Sequence, residues 1–349
     1  MPTCDAELSV PADSAGSVRT HSEPRCHVCD SVGDILYSGL RDRLFGAPGE
    51  WTLRRCQNAG CGLLWLDPMP VVEDLPKLYQ TYYTHSTGDQ PTLTGSVREA
   101  MKRAYWRATY GPNGSRLPAM LLTLAPGFRA QLALQVFDLQ HVEGGRLLDV
   151  GCGSGAALER MARLGWECEG IDFDEKAVDA GRARGLTIQV GSLEHQRYPD
   201  QSFDAVVMNH VLEHVPDPRL LIRECYRILK PEGQFVCITP NAASWCHSLF
   251  GTDWRGLEPP RHLHIFTQSS ALRLMREIGW DNVEARSSIA NSHGIGLASW
   301  NLKRYSRLDM LPKRNVWQSI LARLFQISAS LRLSIISTTG EEILLRAKR

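Results

Sequence analysis

Residues 147–155 read LLDVGCGSG, an apolar run holding one carboxylate, followed by glycines at alternate positions. Gly151, Gly153 and Gly155 let the backbone turn tightly and approach a ligand with no Cβ in the way. The next residues, AALERMARLGW, read as a helix. A buried strand that passes through a glycine turn into a helix commits the chain to the α/β class, a sheet with crossover helices. A phosphate-binding dinucleotide fingerprint has the spacing G-x-G-x-x-G. Here the spacing is G-x-G-x-G, and Asp149 stands two residues before the first glycine. That carboxylate suits a cationic ligand better than a phosphate. Asp172 closes the next strand-like segment, ECEGID, where its two oxygens can accept both hydroxyls of a ribose.

The alternation continues downstream. EKAVDAGRARG reads as a second helix, LTIQVG as a third strand, FDAVVMN as a fourth and PRLLIRECYRILK as the helix after it. The breaker PEG precedes a fifth strand, QFVCITP, and SSALRLMREIG follows as a helix that Thr267 can cap. NVEARSSIA and EEILLRAK supply two last strands, separated by an apolar-rich insertion at about residues 291–339. The expected organisation is a disordered tail over 1–24, a cysteine-bearing module over 25–85, a basic helical connector over 86–139 and the sheet domain over 140–349.

Four motifs stand in order over about residues 140–349: DVGCGSG, GID, SFDAVVMNHVLEHVPDP and LKPEG. Together they resemble the class I S-adenosylmethionine (SAM)-dependent methyltransferases. The resemblance implies a seven-stranded, doubly wound Rossmann-like sheet of order 3-2-1-4-5-7-6 with the last strand antiparallel. It implies SAM as cofactor, its methionine end held by Asp149, Gly151, Gly153 and Gly155, its ribose by Asp172, with Phe173 beside the adenine. Ser192 and Leu193 stand where the family often has an Asp on the adenine amino group, so that contact is weaker or moves to Glu194. Asn209, at the end of the fourth strand, completes the expected cofactor set.

Cys26-x2-Cys29 and Cys56-x4-Cys61 form two close pairs separated by 26 residues. Two such knuckles suit a tetrahedral Cys4 zinc site, which has no open position and therefore a structural role. Metal binding would supply folding free energy that a small module lacks. The alternatives are four free thiols or two disulfides, and disulfides fit poorly with a cytoplasmic enzyme. The segment CGLLWLDPMP…LYQTYYTH resembles the linker of zinc-ribbon-headed methyltransferases from glycan, sugar and natural-product pathways. Tyr82, Tyr83 and His85 are expected there in aromatic packing or in reach of the acceptor.

The fourth strand runs directly into HVLEHV. In a helix, His210, Glu213 and His214 would share one face, and the string also spells the zinc-protease signature H-x-x-E-H. Its place inside a sheet domain argues against a protease. Related ubiquinone-pathway O-methyltransferases carry a similar Glu-His segment, which in some of them binds a divalent cation; the alternative is that these histidines cap backbone groups. After the fifth strand the chain takes 27 residues, Pro240 to Phe266, to reach the next helix. Connections that long without regular structure are usually functional or disordered, and a stretch rich in Trp, Pro and His argues against disorder. Within it, EPPRHLHIF places His262 and His264 on one side of an extended chain. If the segment bends around a ligand, His262 is expected to face the acceptor and His264 to brace the loop. A hydroxyl acceptor must lose its proton, and histidine titrates near neutrality. His214 or His262 is the expected base, with His210 the third catalytic candidate.

The expected reaction is methyl transfer to a hydroxyl, or a carbon, of a small molecule, sugar or glycan precursor. A formal net charge of +1 argues against a dedicated nucleic-acid binder, and no N/D-P-P-Y/F string follows the fourth strand. An RNA methyltransferase using its zinc module, or a non-catalytic SAM-binding partner protein, are the competing functions. The first 24 residues lack the apolar core of a secretory signal, and no uninterrupted apolar run reaches about 18 residues. A cytoplasmic location is expected. The insertion carries Lys303, Arg304, Arg307, Lys313, Arg314, Arg323 and Arg332 against Asp309, with Trp317, Ile320, Leu321, Leu324 and Leu331 at helical spacing. Such a helix either packs its apolar side on the domain, which we expect, or lies on an anionic membrane.

Overall fold

The computed structural model describes residues 18–79, 93–112, 126–307 and 315–349. Strand β1 (Thr20–His21) pairs with β5 (Met69–Pro70), and between them lie β2 (Gly33–Leu40), β3 (Trp51–Cys56) and β4 (Leu64–Leu66), an antiparallel series. Leu53, Leu63, Leu64, Trp65 and Leu66 are fully buried between them and the sheet domain. Of the tail expected over 1–24, residues 18–24 are tied down. Arg19 bonds Asp74, and the Glu23 N–H donates to Asp67 at 2.7 Å. Residues 1–17 lie outside the described residues, as do Tyr82, Tyr83 and His85.

Helices α1 (Leu93–Tyr110) and α2 (Pro126–Leu134) lead into the second unit. There β6 (Arg146–Val150), α3 (Ala156–Ala162), β7 (Glu167–Asp172), α4 (Glu175–Arg182), β8 (Ile188–Val190), α5 (Leu193–Gln196), β9 (Phe203–Asn209), α6 (Pro218–Ile228) and β10 (Leu229–Pro240) follow in alternation. Helix α7 (Trp245–Phe250), β11 (His264–Ile265), α8 (Gln268–Ile278), β12 (Asn282–Ser288), α9 (Ser292–Tyr305), α10 (Val316–Ile335) and β13 (Glu342–Lys348) complete the chain. The seven-stranded sheet has the order β8-β7-β6-β9-β10-β13-β12, and β13 runs antiparallel to both its neighbours. This is the order 3-2-1-4-5-7-6. Strands β6 and β9 are covered on both faces, which is why they read as apolar runs rather than alternations. Strand β10 starts at Leu229, before the expected PEG breaker, with an irregular register between Leu229 and Gln234. Thr267 caps α8 in a reciprocal box with Ser270.

Two expectations fail. The 27-residue connection from Pro240 to Phe266 is not irregular: it holds α7, two 3-10 turns and β11. Strand β11 pairs antiparallel with β4, so the module's sheet is β11-β4-β3-β2 and takes one edge strand from the sheet domain. The module is therefore built into the second unit, with a common core that includes Trp65 and Leu263. The insertion also differs from expectation. Its helix α10 buries Gln318, Ala322, Phe325 and Ala329, while Trp317, Ile320, Leu324, Ile327, Leu331 and Ile335 point outward. Alanines on the inner face let α10 approach α9 closely, and a Cβ at Gly296 would come within 2.5 Å of the Phe325 ring. Lys313, Arg314 and Asp309 lie outside the described residues.

One buried cation joins the two units. Arg261 is fully buried; its guanidinium donates two bonds to Asp42 of the module (2.8 and 3.1 Å) and one to Glu258 (3.0 Å). It also donates to the Leu78 carbonyl and lies over the Phe45 ring. Removing one partner of a buried pair strands the other charges without solvent. Arg261→Ala should therefore cost about 3–5 kcal/mol of stability, read as a lowered denaturation midpoint; a loss under about 1 kcal/mol would contradict the clamp.

Candidate active site

Two cavities open at the carboxyl edge of the parallel strands, where open α/β sheets bind ligands. The first, about 270 Å3, is walled by Asp149, Gly151, Cys152, Ser154 and Asn209 from the ends of β6 and β9. Gly151 has φ +74°, and a Cβ there would sit 2.3 Å from the Val211 side chain; Gly153, φ +55°, faces open space instead. The loop thus leaves a cradle. Asp149 is buried, and its Oδ1 has no protein partner. Burial pushes its carboxyl up to about 8. A buried carboxylate with an unpartnered oxygen fits the cationic ammonium of a bound amino acid moiety.

The other expected cofactor residues stand beside this cavity rather than in its walls. Asp172, at the end of β7, accepts the Gly153 N–H at 2.7 Å and the Asp174 N–H at 2.9 Å. Burial raises its carboxyl above the usual range. Phe173 is exposed, its ring edge-on to Tyr79. Ser192 precedes α5 with its hydroxyl 3.0 Å from His195, while Leu193 is buried and offers only its backbone. Gly155 opens α3 in a left-handed conformation.

The second cavity, about 480 Å3, shares Gln131, Asn291 and Glu342 with the first. His210, His214, His262 and Glu258 line it. HVLEHV is not helical: His210 has φ +56° and its N–H donates to the Ile238 carbonyl at 2.8 Å, which holds the chain at the sheet edge. The three side chains converge through a turn, not along a helix face. His210 donates to Glu213 (3.0 Å) and to Glu342 (3.1 Å), and Glu213 also accepts from the Thr239 hydroxyl at 3.0 Å. Burial opposes charge on His210, but the two carboxylates prevail and raise it to about 10. Burial likewise pushes Glu213 up, and bonded His210 outweighs it, to about 2. A histidine held protonated between two carboxylates is no base at neutral pH.

His214 and His262 differ. The Nδ1 of His214 lies 2.9 Å from the Arg261 carbonyl and 3.2 Å from the Tyr79 hydroxyl. The Nδ1 of His262 lies 2.8 Å from the Gly256 carbonyl. A carbonyl only accepts, so each Nδ1 carries a proton, which leaves Nε2 as the atom able to take one in the neutral ring. The rings meet edge-on at 4.8 Å. Burial drives His262 down to about 4 despite Glu258 nearby, so it is neutral. His264 turns the other way, fully buried with its ring against His27 between Cys26 and Cys29. Cys26, Cys29, Cys56 and Cys61 come together, with every Sγ within 4.8 Å of the rest.

A family model described as a methyltransferase domain matches residues 126–285. A ubiquinone biosynthesis O-methyltransferase of Cereibacter sphaeroides is 30% identical over 211 residues, 55% of this chain and 84% of that protein. The chain belongs to the class I SAM-dependent methyltransferases. A relative of the same description from Xanthomonas oryzae is 40% identical over 132 residues, 35% of this methyltransferase and 55% of that protein. A solved structure of Haemonchus contortus phosphoethanolamine N-methyltransferase 2 with SAM aligns at TM-score 0.47 and 19% identity, over 82% of this chain and 62% of that one.

Several wall residues of this methyltransferase carry little or no signal in the sequence. Glu342 lines both cavities; its Oε1 receives His210 and the Asn291 amide, while its buried Oε2 has no partner. The one available signal was the Glu-Glu pair opening an otherwise apolar strand. Glu258 is held well below the usual carboxylate range: burial pushes it up, but the guanidinium groups of Arg255 and Arg261 prevail. Gln131 arrives from α2, and nothing in its local sequence marks it. The depressed His262 has a consequence for stability. Between about pH 4 and 6.5 the unfolded chain binds the proton that folded His262 refuses, so stability rises with pH there and is complete above about 6.5. Acidification through that window should remove about 3 kcal/mol, and His262→Gln should flatten the dependence in denaturant titrations at stepped pH.

Proposed function

We propose that this methyltransferase moves the methyl group of SAM to a hydroxyl of a small organic acceptor, with a sugar or glycan-precursor hydroxyl as the finer possibility. What carries the reading is the meeting of two cavities at Glu342, one with a buried carboxyl group, the other with two imidazoles whose Nδ1 atoms are each held by a backbone carbonyl. Relatives named as ubiquinone biosynthesis O-methyltransferases support a hydroxyl acceptor. When bound, SAM supplies a methyl group already activated on a sulfonium. Asp149 and the glycine loop would hold its amino acid end, Asp172 its ribose, and Phe173, Ser192 and Leu193 the adenine side, with Asn209 between.

The protein's own work is orientation and proton removal. His214 Nε2 takes the acceptor proton, its ring fixed by the Arg261 carbonyl. His262, neutral beside it, adds no positive charge next to that nitrogen. Glu342 Oε2 receives a donor group of the acceptor, and protonated His210 holds that carboxylate in place. A divalent cation is the weaker alternative: the ligand atoms of Glu213, His214 and His262 lie within 4.8 Å, but both Glu213 oxygens are already engaged. Calorimetry with SAM, followed by methyl transfer to a panel of phenols and sugars, tests the reading. His214→Gln should lower turnover about 10²–10⁴-fold with SAM affinity intact, and Glu342→Gln should raise the acceptor KM. Unchanged turnover in both His214→Gln and His262→Gln rejects a histidine base.

We also propose that the four cysteines hold a structural zinc ion. Cys26 and Cys61 lie 3.7 Å apart at sulfur and Cys29 and Cys56 3.3 Å, against about 3.8 Å for the edge of a tetrahedron with 2.3 Å bonds. Purified protein should contain zinc equimolar with chain, and Cys61→Ser should lose the metal and lower the melting temperature; metal-free protein of undiminished stability would refute it.

A further inference from the structure

We propose that α10 is a surface by which this protein lies on an anionic phospholipid bilayer. Val316, Trp317, Ile320, Leu324, Ile327, Leu331 and Ile335 recur every three or four residues and are all exposed, Trp317 at 78%, Leu331 at 63% and Ile335 at 80%. At 3.6 residues per turn these positions share an arc of about 100° along a helix about 30 Å long. The opposite face is fixed: Gln318, Ala322, Phe325 and Ala329 are packed inward, and Phe325 bears on Gly296 of α9. The helix cannot roll to hide its apolar stripe.

The charges around the stripe choose its occupant. Arg323 and Arg332 border the arc on its two sides, and no Asp or Glu occurs between Val316 and Ile335. Exposed Lys303 and Arg304 end α9. An apolar arc edged by arginines is the arrangement of an interfacial helix, whose side-chain stems follow the acyl boundary while the guanidinium groups reach the headgroups. A second copy of this helix would bring arginine to arginine with no carboxylate of the stripe to answer them. A phosphate surface answers all of them. Among the described residues no helix is long and apolar enough to cross a membrane, which is consistent with a helix lying in the surface.

The test is co-sedimentation of the full chain with vesicles of phosphatidylcholine containing about 30% phosphatidylserine, beside vesicles of phosphatidylcholine alone. The protein should pellet with the anionic vesicles at low salt, about ten-fold less with neutral ones or at high salt. Arg323→Glu with Arg332→Glu should abolish the preference, and Leu324→Asp with Leu331→Asp should abolish pelleting while leaving SAM affinity unchanged. Failure to pellet at low salt overturns the proposal, as does equal pelleting with both vesicles. A dimer in light scattering that the same Leu324/Leu331 variant dissolves, without vesicle binding, assigns the stripe to a second copy and overturns it too.

Discussion

One guanidinium holds the wall of the second cavity that carries His214 and His262. Arg261 has its three nitrogens committed to Asp42, Glu258 and the Leu78 carbonyl, and its own backbone carbonyl receives the proton-bearing nitrogen of His214. The Glu258 it holds turns back on itself to accept the Arg261 and His262 N–H groups. A buried ion cluster of this kind is weak evidence for stability, since apolar side chains of the same volume often do as well. Its value here is positional: it fixes the module, the connection after β10 and two imidazoles in one frame.

The sheet was legible because its strands lie covered on both faces, so burial alone wrote an apolar run at each, and because Gly151 and Asp149 stand at a turn with one geometric solution. The cap at Thr267 was legible for the same local reason. What stayed hidden is what depends on distant partners. Residues 210–215 carry helical spacing, yet the bond from the His210 N–H to Ile238 pins the first residue at a positive φ and a helix cannot start there. His262 and His264 share a side only in an extended chain; the chain bends at Leu263 between them, and one faces the cavity while the other packs against His27 of the first cysteine pair. The apolar positions of α10 were seen correctly, but which face is inner depends on Gly296 in another helix.

The carboxylates around the histidines divide their labour. Glu213 and Glu342 keep His210 charged, and that charge in turn steadies Glu342 at the junction of the cavities. Glu258 stands nearer His262, at 3.7 Å, but burial outweighs it, so that ring stays neutral. Two histidines a few residues from a common acid-rich wall thus end in opposite protonation states, set by direct hydrogen bonding in one case and by exclusion of water in the other.

Strand β11 carries a further implication. Its two residues, His264 and Ile265, are at once the edge of the cysteine module's sheet and the continuation of the segment that presents His262. The four cysteines and the wall of the second cavity are therefore linked through one pair of hydrogen-bonded strands, with the His264 ring against His27 in the first cysteine pair. If the cysteines hold zinc as proposed, loosening that cluster would slacken the cavity wall as well, and a chelator or a thiol oxidant would lower methyl transfer without entering either cavity.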